Sequence, residues 1–191
     1  MSLKNGMPAL NIRVVDRCVW RPEWIIHEFL DTTGRIGRMG QRGASIAEIS
    51  AAFPRSLRSR LWFTHNLLLN EGINALWTLV CGTGETKFDN TNAYIGVGDS
   101  STAASASQTG LQAASNKSYK AMDATYPTYG SSQNATWRST FGTSDANFDW
   151  NEITVANGNS DSAKNLNRKV QAMGTKTASV SRVVTLEITL S

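Results

Sequence analysis

The sequence predicts a mainly β protein, an antiparallel β-sandwich of jelly-roll-like kind with a helical and extended N-terminal region. Three observations carry this. Val184, Leu186, Ile188 and Leu190 alternate with Thr185, Glu187 and Thr189, the two-residue period of a strand with one buried face. Short runs of the same kind recur after residue 92, with turn chemistry such as Asn157-Gly158-Asn159-Ser160-Asp161 between them and no long helical pattern. Charged residues make up 18% of the 191, below the globular average of about 25%, and Ser, Thr, Asn and Gly fill the difference.

An apolar content of 40% is enough for one ordinary core. The six tryptophans are natural anchors for that core or for an interface. Cys18 and Cys81 are too far apart for a metal-type spacing, which leads to the expectation of a reduced, cytoplasmic site of synthesis. Arg13, Asp16, Arg17, Arg21 and Glu23 interrupt any secretory leader, and no apolar run reaches the length of a membrane span. Charge is uneven: residues 1–62 carry ten Lys/Arg against five acids, the remainder nine against ten. The basic character therefore belongs to the N-terminal third, and a basic segment suits an acidic protein surface, nucleic acid or an anionic membrane.

The expected organisation has three parts: an arm with short helices and a basic loop over 1–62, a helix over 63–82 that packs on the sheet, and the sandwich over 83–191. In the arm, Asn11 to Leu30 is dense in apolar residues without a clean period. Ile12-Arg13-Val14 alternates briefly, and Pro22-Glu23 fits the first turn of a short helix running through Phe29. Thr32 to Gly43 reads as a flexible Gly/Arg loop whose arginines offer bidentate donors to carboxylates or phosphates. Ser45 and Glu48 have the capping-box spacing of a short helix that Pro54 ends. Ser56 to Trp62 reads as a basic turn or short helix. The clearest helix follows, with Leu69, Ile73, Leu76 and Val80 on one stripe widened by Leu68 and Trp77, Thr64 at its start and Gly82 after its end. Gly72 within it costs about 1 kcal/mol against alanine unless packing offsets the loss.

Tyr94 to Gly98 suits a buried strand followed by a loop, and its paired glycines allow a close approach that a Cβ would block. A phosphate loop is the weaker reading of Gly96-x-Gly98, because no third glycine and no amphipathic helix follow. Trp137 and Phe141 share one face of a strand, with Thr136, Arg138 and Thr140 on the other. Phe148 and Trp150 have the opposite parity to Ile153 and Val155, which a bulge near Asn151-Glu152 reconciles. Leu166 to Ala172 is a further strand.

The run Asn92 to Gln112, with Lys120-Ala121-Met122-Asp123, Tyr126-Pro127, Thr136-Trp137-Arg138, Ala146-Asn147-Phe148, Trp150 and Leu166-Asn167-Arg168-Lys169-Val170, resembles a widespread group of tailed-bacteriophage virion structural proteins. The resemblance covers about the C-terminal two-thirds of the chain. It implies a small β-sandwich module that decorates a head or belongs to a tail, made in the host cytoplasm and residing in the virion, and it brings no enzymatic residues with it.

Candidate chemistry is sparse, so neither a catalytic site, a cofactor nor a metal is expected. His27 and His65 have no ligand-spaced partner. Asp145-x-Asn147-x-Asp149 imitates the start of a calcium loop, but Trp150 stands in place of its glycine and Ala156 in place of its glutamate. Asp123, Asp149 and Glu152 are the acids to check for a glycan-hydrolase pair, the remote alternative. The expected role is structural, a capsid decoration or cement protein that binds and stabilises the assembled shell. A tail, neck or fibre-attachment component is the alternative. The expected partner is the major capsid protein or another virion protein, with three copies of this chain clasped together. Nucleic acid ranks below protein, because no aromatics interleave the arginines of the basic loop. The expected partner-binding residues are the apolar Trp20, Trp24, Ile25, Ile26 and Phe29, which a short arm cannot bury against itself, and Arg35, Arg38, Arg42, Arg55, Arg58 and Arg60, which would face an acidic surface.

Overall fold

The computed structural model describes residues 18–191. Ten strands and three helices alternate as β1 (Trp20–Leu30), α1 (Arg35–Gln41), α2 (Ile46–Ala52), β2 (Leu57–Thr64), β3 (Leu67–Leu68), α3 (Asn70–Cys81), β4 (Tyr94–Gly98), β5 (Lys117–Ala121), β6 (Thr128–Tyr129), β7 (Asn134–Phe141), β8 (Glu152–Ala156), β9 (Asn167–Val170) and β10 (Val180–Leu190). The strands form two antiparallel five-stranded sheets, ordered β2-β1-β10-β7-β6 and β3-β9-β8-β4-β5. The fold is the expected β-sandwich.

The strands of the C-terminal half lie where alternation places them. Register sets Leu186 beside both Trp137 and Trp24, and Val184 beside Ile26. These residues meet Ile95, Val97, Ile153 and Val155 of the second sheet in one core, together with Phe141 and Trp150, whose ring centroids are 4.8 Å apart edge-to-face. Trp150 and Ile153 reach the same core through a change of parity at Asn151, whose N–H donates to Gly98 O while the neighbouring Trp150 N–H donates to Gly174 O.

The N-terminal region departs from expectation. Residues 20–62 are not an arm: β1 is an interior strand of the first sheet, paired along its whole length with β10 and over Glu23–Phe29 with β2, and the boundary drawn at residue 62 falls inside β2. The helix read from Pro22 to Phe29 is therefore strand. Val19 and Ser191 exchange both backbone hydrogen bonds, so alternate residues from Val19 onward face β10 and the proline nitrogen of Pro22 faces the other way. On that side β2 extends only as far as Glu23, and no donor is missed. The alternation at Ile12-Arg13-Val14 lies outside the described residues.

Thr32 to Gly43 is not a loop either. Its middle is helix α1, and with α2 it covers the outer face of the first sheet in a second small core of Phe29, Ile36, Ile49 and Val183. The glycines serve close approach: a Cβ on Gly37 would lie 2.9 Å from Gly142 Cα, and one on Gly40 would collide with the Thr140 side chain. Helix α2 carries the expected capping box, with Ser45 Oγ accepting from Glu48 N–H and Glu48 accepting from Ser45 N–H.

Helix α3 begins at Asn70, later than expected, because Thr64 and Leu67–Leu68 belong to strands. Its buried side is also rotated. Gly72 and Ala75 face inward, whereas Val80 is 74% exposed and Trp77 63% exposed. Small residues are needed there because a Cβ on Gly72 would sit 2.7 Å from Leu166 Cα and against the Leu166 carbonyl. Gly72→Ala, stabilising on helix propensity alone, is instead expected to destabilise by about 1–3 kcal/mol through overpacking, read from the urea midpoint. A rise in that midpoint would mean that α3 can move off the strand.

Candidate functional site

The six arginines singled out in the sequence all lie at the surface. Arg35 and Arg38 project from α1 and Arg42 from its C-cap, at i, i+3 and i+7, the spacing of one helical face. They surround a shallow hollow of about 230 Å³ floored by Met39 and Phe53. The Arg35 guanidinium stands 5.4 Å from the centroid of the Phe53 ring, near enough for cation–π attraction. Arg55 follows two residues after Phe53, and Arg58, Arg60 and the 55%-exposed Trp62 share one parity of the edge strand β2. Among the described residues none of the six forms an ion pair. Arg60 pairs in register with His27. Burial, then the charge of Arg60, lowers the His27 pKa, so the imidazole is neutral near pH 7 and adds no charge to this face.

The apolar candidates separate from the basic ones. Trp24, Ile26 and Phe29 are fully buried, the first two between the sheets and the third beneath α1 and α2. Trp20 and Ile25 are half-buried. Five such residues are too many for a short arm, but the strand they occupy has the whole sandwich to pack against.

Helix α1 is held rigidly on the sheet by buried polar groups. Arg138, on the outer face of β7, donates from Nη2 to Gly40 O at 3.1 Å and from Nε to Asp123 at 2.8 Å. Asp123 also accepts from Thr140 N–H at 2.8 Å and from Thr140 Oγ1 at 2.7 Å. Burial pushes the Asp123 carboxyl up, opposed by Thr140 and Arg138. Asp31 accepts from Gly37 N–H at 2.9 Å and from Ser181 Oγ at 2.7 Å. Burial works against its charge, yet these donors hold its pKa below the usual range.

A second buried pair organises the other sheet. Glu152 and Arg168 are fully buried and meet at 2.7 Å. Glu152 accepts from the N–H groups of Gln112 and Ala113 at 2.9 and 2.7 Å, while Arg168 donates to Gln108 Oε1 and Thr102 O, both at 3.0 Å. The pair fastens the 99–116 loop over the outer face of the second sheet. Gly98 leaves the space for it, since a Cβ there would strike the Glu152 carboxylate.

The acids considered for glycan hydrolysis therefore do not converge. Asp123 and Glu152 are each engaged by their own arginine in different sheets, and Asp149 accepts from Thr175 Oγ1. The calcium-like triplet is divided among separate partners: Asp145 accepts from Lys120 at 2.7 Å and Asn147 from Lys176 at 2.8 Å. Among the described residues no three His, Cys, Asp or Glu side chains gather in the manner of a metal centre.

Lys176 was not singled out in the sequence, and no periodicity marks it. It is 1% exposed, and burial, opposed chiefly by Asp145, pulls its pKa down to about 8. Between about pH 8 and 10 the unfolded chain holds a proton on this lysine that the folded chain has lost, so stability rises with pH there. Above about pH 10 the Tyr119 phenol, raised by burial and by Asp161, works in the opposite direction. Urea titrations across this window should show the rise in the parent and its loss in Lys176→Met. An unchanged slope in the variant would assign the rise to another group.

No family model, curated protein or solved structure matches this chain. The class defined by the fold and the site is a β-sandwich with a rigidly mounted basic face.

Proposed function

We propose that this chain is a structural virion protein of a tailed bacteriophage, a capsid decoration protein that binds the assembled shell through its basic face. The observation that carries the reading is the set of six arginines without ion-pair partners among the described residues, three of them around an apolar hollow on α1. The buried charges elsewhere are engaged in holding loops and helices, whereas on this face the one arginine bond among the described residues is that of Arg38 to Thr33 O, and the charges meet no carboxylate. Arginine forks favour carboxylates, and the Phe53 floor favours an apolar anchor beside them, a pairing that suits an acidic protein surface better than a bare phosphate backbone. The resemblance over the C-terminal two-thirds supplies the virion setting.

The test has two arms. Quantitative mass spectrometry of purified particles should count this chain in the hundreds. A small multiple of three or six would move it to a tail or neck, and absence from particles would end the reading. In the second arm, reversing Arg35, Arg38 and Arg42 to glutamate should abolish binding to empty particles at unchanged melting temperature. Binding that instead requires DNA and falls steeply with salt would make nucleic acid the partner.

A further inference from the structure

Four strands end the two sheets, β2 and β6 in the first and β3 and β5 in the second. An edge presents N–H and carbonyl groups that no neighbouring strand satisfies, and proteins protect it by keeping it short or charged. Strands β3 and β6 have two residues each. Strand β5 has five, with Lys117 and Lys120 held by Asp161 and Asp145. Strand β2 has eight, runs exposed from Leu57 to Arg60, and pairs among the described residues with β1 alone.

Register fixes what this long edge offers. Because Val19 and Ser191 exchange both hydrogen bonds, the odd-numbered residues of β1 face β10 and the even-numbered ones face β2, down to Leu30, which donates to Ser56 O at 2.7 Å. Trp24–Phe63 and Ile26–Leu61 are therefore the hydrogen-bonded pairs, and Arg60 and Trp62 turn their N–H and carbonyl groups to the open edge. The side chains divide in the same way. Leu61 and Phe63 lie against the main core, the Phe63 ring 6.5 Å from that of Trp24, whereas the exposed Arg60 and Trp62 stand on the other face of the strand. Free backbone groups, a guanidinium and an indole thus come together at two positions of one edge.

We propose that β2 receives an extended acidic segment of a partner protein as an added antiparallel strand. Residues of that segment opposite Arg60 and Trp62 would exchange backbone hydrogen bonds with them. A carboxylate opposite Arg60 and an aromatic residue opposite Trp62 complete the outer face, and alternate apolar residues continue the core past Leu61 and Phe63. Charge selects the occupant. A second copy of β2 would gather Arg58 and Arg60 of both molecules along one edge, where neither arginine has a carboxylate among the described residues. Like charges on adjoining strands repel, and opposite ones attract. The proposal rests on the reading that the basic face meets an acidic partner, and adds that the partner is held through its backbone.

The probe is a capped peptide, Thr-Tyr-Val-Glu-Val-Glu-Thr, and the readout is amide hydrogen exchange of the full chain by NMR. In the free chain Arg60 and Trp62 should exchange faster than Leu61 and Phe63. Peptide at about ten times its Kd should slow exchange at Arg60 and Trp62 about tenfold, and its counterpart with lysine for glutamate should not bind. Absence of binding, binding without slowing at these two amides, or equal slowing by the lysine peptide would overturn the proposal. So would slow exchange in the free chain, which would assign the edge to this chain itself, or to a second copy if the slowing grows with protein concentration. Arg60→Pro removes one outward donor where an edge tolerates proline, and should abolish the peptide's effect and weaken binding to empty particles. Undiminished particle binding in this variant, with binding still lost on reversal of Arg35, Arg38 and Arg42, would refute strand addition and leave the reading of the basic face standing.

Discussion

Arg168→Met should lower the free energy of unfolding by roughly 3–5 kcal/mol, the cost of breaking a buried pair and leaving one charge without its partner. The side chains of Arg168 and Glu152 are both fully buried, so solvent cannot replace the lost contact. Many buried pairs can be exchanged for apolar residues at little net cost, but this one cannot. In the double variant Arg168→Met, Glu152→Leu the N–H groups of Gln112 and Ala113 lose their acceptor, and the buried Ala113 donor goes unsatisfied at about 1–3 kcal/mol, with a smaller cost at the half-buried Gln112. The double variant should therefore be no more stable than Arg168→Met alone, as read from urea unfolding followed by tryptophan fluorescence. Recovery to the parent midpoint would show that the loop finds other acceptors.

Trp137→Ala is expected to cost about 3–5 kcal/mol. The indole is 8% exposed, lies in the principal core and donates from Nε1 to Phe88 O at 3.0 Å, so truncation removes both packing and a hydrogen bond. Across the strand, Thr136 and Glu187 pair on the outer face and are half-buried. Thr136→Ala and Glu187→Gln should stay within about 0.5 kcal/mol. Equal midpoints for Trp137→Ala and the parent would mean that the two faces of β7 are interchanged.

How much of this could be read from the sequence depended on whether a strand has one buried face or two. In β7 and β10 the apolar residues of the inner face alternate with more polar ones, and the period was plain. In β1, Trp24 and Ile26 face the main core while Phe29, past a register shift at Glu28/Phe29, lies under α1 and α2. Burial on both sides removes the alternation, and the segment read as an undirected apolar arm. Glycine misled in a different way. Gly37 and Gly40 look the same in a sequence whether they loosen a loop or admit a neighbour, and here they admit Gly142 and Thr140. In α3 the bulky residues defined the expected stripe, but where the helix approaches Leu166 only small residues fit, so Gly72 and Ala75 are innermost and Leu76 and Leu79 pack at the margin of the core.

The candidate site was legible in its residues and illegible in its shape. All six arginines are apparent in the sequence, but the gathering of Arg35, Arg38 and Arg42 around Phe53 needs α1 to be a helix, and that depends on contacts with a strand about a hundred positions away. Asp123 and Glu152 stand out in the sequence only as candidate acids, and no period pairs Asp123 with Arg138 or Glu152 with Arg168. Their partners are brought together by strand order, which is a property of the whole chain.

The way Glu152 and Arg168 hold the 99–116 loop separates the outline of that region from its outer sequence. The pair grips it through two N–H groups, one carbonyl and one glutamine side chain, and Asn70 and Glu71 of α3 add bonds to Ala106 O and Gly110 N–H. Ser101 to Ser105 stand exposed on top of it. Changes there alter what the molecule displays without disturbing what holds it. A lineage can revise these side chains one substitution at a time at nearly constant stability, because Arg168 and Gln108 bond the backbone of Thr102, Ala103 and Ser105 and not their side chains.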